Sequence, residues 1–314
     1  AYYDDLGWPP TGPLGALGAA AAACSILKLD QNLPPMAISL AASQAAGLRQ
    51  NFGPMTKPYH AGASCRAGVT SAKLVKAGFT ASEDAIEGRF GFLRAFSGGS
   101  GYDENHIMET LGKQCYLVES GVEIKKYPCC GSAHLALDAA YRLLERETIT
   151  ADQIESIQVS VDFDPPRSLI HARPTEALEG KFSMQYCLAA AILDQKVGLD
   201  SFTDDLVQRP EAQTLIPKVE MRRIAGYEGR PSWVEAYNEV EVHMTDGRVL
   251  TERADRITKG ALRGVSMEEI QSKFQDTASR ALSASASNEL MEILDKLENT
   301  GELGRMTDLL RGEG

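Results

Sequence analysis

The chain has 314 residues, 43% of them hydrophobic and 24% charged, and a formal net charge of −11. That length suffices for one large domain or two smaller ones. The acidic balance excludes the cationic face that nucleic acid or an anionic membrane surface needs. No apolar run reaches the ~18 residues of a membrane span, because the small-residue stretch from Leu14 to Leu29 is broken by Gly15, Gly18 and Ser25.

In chain order, the first third reads as helices made of small residues. One spans Thr11 to Lys28, a second runs from Pro34 to the glycine stop at Gly47, and a third covers about Ala61 to Ala77. Thr80-Ala81-Ser82-Glu83 has the pattern of a capping box and predicts a short helix ending near Gly88. The texture then changes. Glu123 to Tyr127 is a candidate strand, Ala133 to Arg146 an amphipathic helix, Ile154 to Val161 an alternating strand, and Ser183 to Leu193 another helix. Strands at Tyr237 to Met244 and Arg248 to Ala254 flank Thr245-Asp246-Gly247, where Asp-Gly tolerates the positive φ of a tight turn. Helices return after Gly264, one capped by Ser266 and one over Asn288 to Leu297. The order predicts a mainly α protein with an α+β insertion: residues 1–120 and 265–314 form a helical domain, and residues 121–264 an α+β lid.

Six cysteines, Cys24, Cys65, Cys115, Cys129, Cys130 and Cys187, contain no CxxC, and the vicinal pair strains any disulfide between its members. Reduced thiols and a cytoplasmic location are expected, since Ala1 to Asp5 also lacks a signal-peptide n-region. The Cys/His spacing matches no zinc or iron–sulfur pattern, so no metal is expected. No GxSxG elbow, Walker loop or post-strand GxGxxG occurs, and no cofactor is expected.

Three segments could carry chemistry. In Gly53 to Gly62, Lys57 and His60 fall in a Gly/Pro-stiffened loop just before a helix, where free N–H groups and the helix dipole favour an anion. The plainer alternative is a solvated loop lysine and a packed or capping histidine. In Ile124 to His134, Lys125 and Lys126 end a strand and His134 opens a helix; solvated lysines, buried thiols and a helix-start hydrogen bonder explain it equally. In Leu178 to Cys187, Ser183 is a good N-cap, and structural roles suffice for most of the rest.

Taken together these segments resemble the MmgE/PrpD family. The similarity runs through Gly7-Trp8, Gly15 to Ala23, Ala42 to Gly47, Thr56 to Gly62, Gly91-Phe92, Lys125 to Cys130 with His134, and Lys181-Phe182-Ser183. The resemblance implies an all-helical domain with an inserted α+β lid, a homodimer, and chemistry on small di- and tricarboxylates. Lys57 and Lys125 match lysines that the family's cis-aconitate decarboxylases use at the active site, and His60 and His134 match histidines in supporting roles. Lys126, Cys130 and Ser183 are expected at the substrate-binding surface. The resemblance also implies a helical segment before Ala1, supplying an Asp, a Thr and a His to the cavity. Family decarboxylases carry a histidine after the Gly-aromatic pair; here Pro9 follows, which counts against decarboxylation. The expected function is a hydro-lyase acting on 2-methylcitrate or a related tricarboxylate. Its alternatives are a decarboxylase or epimerase and, from another class, an inactive chain that only dimerises or binds a carboxylate.

Overall fold

A computed structural model describes residues 6–113, 115–119, 124–226, 237–255, 265–299 and 303–312. Three helices with small-residue interfaces build the first part. α1 (Pro13–Ile26) and α2 (Pro34–Ala42) open on proline, whose missing N–H and fixed φ suit a first turn. Both pack on α3 (Thr56–Lys76). Ala16, Ala20, Ala41 and Ala67 form one small buried cluster, and Ala23, Cys24, Ala37, Ala72 and Val75 form another. Interfaces this lean bring backbones close together. A Cβ on Gly68 of α3 would lie 2.4 Å from the Ala20 backbone nitrogen of α1.

Three short helices follow, α4 (Phe92–Ser97), α5 (Glu104–Thr110) and α6 (Tyr116–Glu119). The larger core belongs to the next part. α7 (His134–Arg146) leads into strand β1 (Ile154–Val161); α8 (Ala177–Gly180), α9 (Met184–Asp194), α10 (Asp204–Gln208) and α11 (Pro210–Leu215) then connect it to β2 (Val219–Arg223). The hairpin of β3 (Tyr237–Met244) and β4 (Val249–Asp255) completes a mixed sheet of order β2-β1-β3-β4, in which β1 and β2 are parallel and the other pairs antiparallel. α7 packs on β3 and β4 and α9 on β2, burying Leu137, Leu143, Ile157, Val159, Leu188, Val240 and Val242 between helices and sheet. α12 (Met267–Ala278), α13 (Ala284–Leu294) and α14 (Gly304–Leu310) close the chain around Leu290 and Leu309. α12 is tied to the preceding part: Lys273 Nζ donates to the Lys125 carbonyl at 2.7 Å, Arg280 to Asp200 at 2.7 Å.

A helical part and an α+β part are thus present, and the expected domain edges at Gly121 and Gly264 lie outside the described residues. Five elements differ from expectation. α13 runs from Ala284 to Leu294 instead of Asn288 to Leu297, because the Ser283 side chain caps it by accepting from the Ala286 N–H. α3 begins at Thr56 instead of Ala61, because Pro58 falls in the first turn, where its missing N–H costs nothing. Lys57 and His60 are therefore helical. α2 ends at Ala42, before the chain reaches Gly47 at φ 140°. Residues 80–88 contain no helix: residues 83–87 form turns, and the Ser82 hydroxyl bonds the Asp84 carboxylate. Residues 124–127 of the candidate strand at 123–127 pair with no strand among the described residues.

Gly68→Ala tests the close α1–α3 contact. Alanine gains about 1 kcal/mol of helix propensity over glycine, but relieving the overlap must spread two backbones, and overpacking costs about 1–3 kcal/mol. The substitution is expected to lower the urea midpoint; an equal or higher midpoint would show a looser interface.

Candidate functional site

The loop before α3 joins the two parts. Its one 3₁₀ turn, Arg49–Asn51, directs Phe52 inward, where its ring meets Phe182 at a centroid distance of 5.8 Å. The His171 backbone N–H donates to the Phe182 carbonyl at 3.2 Å. On the same residue, ring Nε2 lies 2.5 Å from the Phe52 carbonyl oxygen, and Nδ1 lies 3.6 Å from Glu179 Oε1. The ring sits against Gly53, where φ is +115° and a Cβ would come 2.4 Å from His171 Nε2. Glycine is needed there both for its backbone angle and for its missing side chain. Arg49 adds a second tie by donating to the Arg167 carbonyl at 2.5 Å.

A cleft of about 310 Å³ opens beside this joint, near the lower end of the ~300–1,000 Å³ usual for small-molecule sites. Phe52, Gly53, Lys57, Pro58 and His60 line it from the helical part, and Leu178, Lys181 and Phe182 from the α+β part. Lys57 Nζ stands 4.3 Å from the Phe52 ring centroid and 5.2 Å from that of Phe182, so the ammonium rests on two aromatic faces. Burial lowers the Lys57 pKa below its ordinary 10.5, Cys130 opposing the shift and Lys125 reinforcing it. Lys181 Nζ lies 5.0 Å from the Phe202 ring, and its pKa is also lowered, by burial first, with Cys129 opposing and Lys125 reinforcing. Among the described residues none of Lys57, Lys125 and Lys181 is paired with a carboxylate.

The other expected site residues are placed as follows. Lys125 does not line the cleft; its Nζ donates to the Cys129 carbonyl at 3.0 Å, within electrostatic reach of Lys57 and Lys181. Lys126 is held by Asp138 at 3.2 Å and Glu269 at 3.1 Å. His60 lines the cleft and also a second cavity of about 380 Å³ walled by Gln44, Thr56, Tyr59 and Arg66. Its Nδ1 is buried with no hydrogen-bond partner among the described residues. His134 stands edge-on to Tyr127 at 5.3 Å, with Nε2 likewise buried and unpartnered. Near it the Cys129 thiol has its pKa lowered, by Cys187 first and then by His134. Cys130 is buried, and its N–H donates to the Lys181 carbonyl at 2.9 Å. Ser183 is fully buried and caps α9, its Oγ accepting from the Tyr186 N–H at 3.1 Å. Two site-forming residues outside the expected set, Lys181 and His171, come from the α+β part. No group of three or more His, Cys, Asp or Glu among the described residues could hold a metal ion, and no described helix is long and apolar enough to cross a membrane.

The fold and cleft define a two-part helical and α+β protein with ammonium groups gathered at the junction. The description of the MmgE/PrpD N-terminal domain matches residues 1–105 and that of the C-terminal domain residues 127–299, so the chain belongs to the MmgE/PrpD family. It is similar to cis-aconitate decarboxylase of Homo sapiens, 27% identical over 310 residues, covering 96% of this chain and 63% of the relative. The enzyme of that name from Mus musculus is 27% identical over 311 residues, covering 96% and 62%; that from Aspergillus terreus is 26% identical over 328 residues, covering 98% and 66%. The chain thus spans about 63% of the length of the human relative.

His171→Ala is expected to accelerate amide exchange across residues 49–57 by roughly tenfold or more, a loss of local stability on the order of 1–2 kcal/mol. The strands of the sheet should keep their protection. Unchanged exchange over the loop would show that the imidazole does not hold it.

Proposed function

We propose that this chain carries the cation cluster of a cofactor-independent lyase that acts on a small tricarboxylate. One observation carries the reading: Lys57 and Lys181 line a single aromatic-walled cleft with no carboxylate partner among the described residues, although the chain has a net charge of −11. Fixed cations in such a site stabilise the negative charge that builds on a carboxylate-bearing carbon as its C–H or C–C bond breaks. The ammonium groups also hold the ground-state carboxylates, with Lys125 adding to the field. His60, whose ring lines the cleft, transfers the proton, and His134 sits farther back with the thiols.

The leading reaction is abstraction of a proton next to a carboxylate followed by loss of water, with 2-methylcitrate or a close analogue as substrate; Pro9, in place of a histidine after Gly7-Trp8, supports it. The names of the relatives favour a second reaction, decarboxylation of cis-aconitate. Both use one arrangement of charge. The reading also takes residues 1–120 with 265–314 as one domain around a lid at 121–264, in a cytoplasmic homodimer. In it Lys126, Cys130 and Ser183 support the substrate surface indirectly, through Asp138 and Glu269, the Lys181 carbonyl and the start of α9.

Incubation with 2-methylcitrate, citrate and cis-aconitate, followed by NMR, separates the outcomes. New alkene signals indicate loss of water, and conversion of cis-aconitate with release of CO2 indicates decarboxylation. Line broadening without conversion would leave only a binding protein, and no effect on any of the three would contradict the proposal.

Lys57→Met should lower kcat by about 10²–10³-fold, the usual cost of removing one transition-state charge stabiliser. Because burial disfavours the charged lysine in the folded state, stability rises with pH through its lowered pKa, and removing the charge should leave Tm unchanged or higher. A fall in Tm with intact kcat would reverse the assignment. The same shift sets the pH profile. The alkaline limb of kcat/KM should fall below pH 10.5, and that of kcat should lie higher, since a bound polyanion favours the ammonium form.

A further inference from the structure

Resting on the proposed function, we infer that Lys181 selects tricarboxylates over dicarboxylates by serving, beside Lys57 and within the field of Lys125, as a carboxylate anchor of the cleft. Its position is fixed from both sides along the chain. The Lys181 carbonyl accepts from Cys130 N–H at 2.9 Å, which binds it to the turn that bears Lys125. Ser183, two residues on, is fully buried as the cap of α9. Gly180, one residue before, is packed so tightly that a Cβ would meet the Tyr186 ring at 2.9 Å. Lys181 thus extends from a rigid backbone, lines the same cleft as Lys57, and rests its ammonium on the Phe202 ring.

The charge count supplies the selectivity. Lys126 shows how this protein treats a lysine that needs no ligand, pairing it with Asp138 and Glu269. Lys57, Lys125 and Lys181 have no such carboxylates among the described residues, and Lys125 acts on both of the others. Lys125 stands outside the cleft lining and acts through its field, so a dianion offsets two of the three positive charges and leaves one unmatched beside the site, whereas a trianion offsets all three. Leaving a desolvated charge unmatched opposes the smaller ligand as much as the added contact favours the larger one.

Calorimetric titration with tricarballylate and with glutarate, unreactive tri- and dicarboxylates, reads this directly. The wild-type protein is expected to prefer tricarballylate by at least about tenfold, the value of one charge-assisted hydrogen bond. Lys181→Met should erase the preference by weakening tricarballylate about 10–100-fold, with glutarate changed less than about threefold. Lys181→Arg should keep it, and Lys76→Met, at the far end of α3, should alter neither ligand. A Lys181→Met protein with the wild-type ratio, or a wild type with equal affinities, would overturn the role of Lys181 and leave the proposed function standing. A wild type that binds neither ligand would overturn both.

Discussion

The site depends on the packing of the His171 ring into the space where Gly53 has no side chain. That contact fixes the Phe52 carbonyl, brings the Phe52 ring against Phe182, and so sets the first turn of α3 opposite the start of α9. A side chain at position 53 would drive the two parts apart. The Phe52 carbonyl and the Glu179 carboxylate beside the two His171 ring nitrogens are both acceptors. The joint is polar and compact, unlike the large apolar core beneath the sheet. This division of labour is usual: a rigid core holds its share of the site, and a glycine-dependent loop brings up the other.

Electrostatics give the joint its purpose. An acidic chain would ordinarily pair its lysines with nearby carboxylates, as Lys126 is paired. Lys57 instead spends its contacts on aromatic rings, and Lys125 on a carbonyl oxygen. Neither partner cancels a full charge. The cleft therefore keeps a positive field within a protein of net negative charge, and low-dielectric walls strengthen that field toward an entering anion. The lowered pKa values of Lys57 and Lys181 are the cost of keeping those charges half-buried.

Much of the fold was legible in the sequence because its signals are local. The alternation in β1, the Asp-Gly turn between β3 and β4, and the Ser266 cap each appear where the residues indicate. β2 was not legible: it pairs in parallel with β1, Ile157 against Val219, across four intervening helices, and no local pattern encodes that partner. The start of α3 was misplaced because Pro58 reads as a stop, although proline is tolerated in a first turn. At the site, Lys57 and His60 stood out through their Gly/Pro setting. Lys181 was hidden beside Ser183, whose capping role explained the segment too well. His171 belongs to no motif, and only the fold shows that it meets Gly53.

The central claim is that the junction between Phe52 and Phe182 is where a polycarboxylate binds. A crystal structure of the protein with citrate tests it most directly. The account predicts citrate in this cleft, with carboxylate oxygens within hydrogen-bond distance of Lys57 Nζ and Lys181 Nζ. Citrate ordered elsewhere, with both ammonium groups still resting on their aromatic rings, would contradict it.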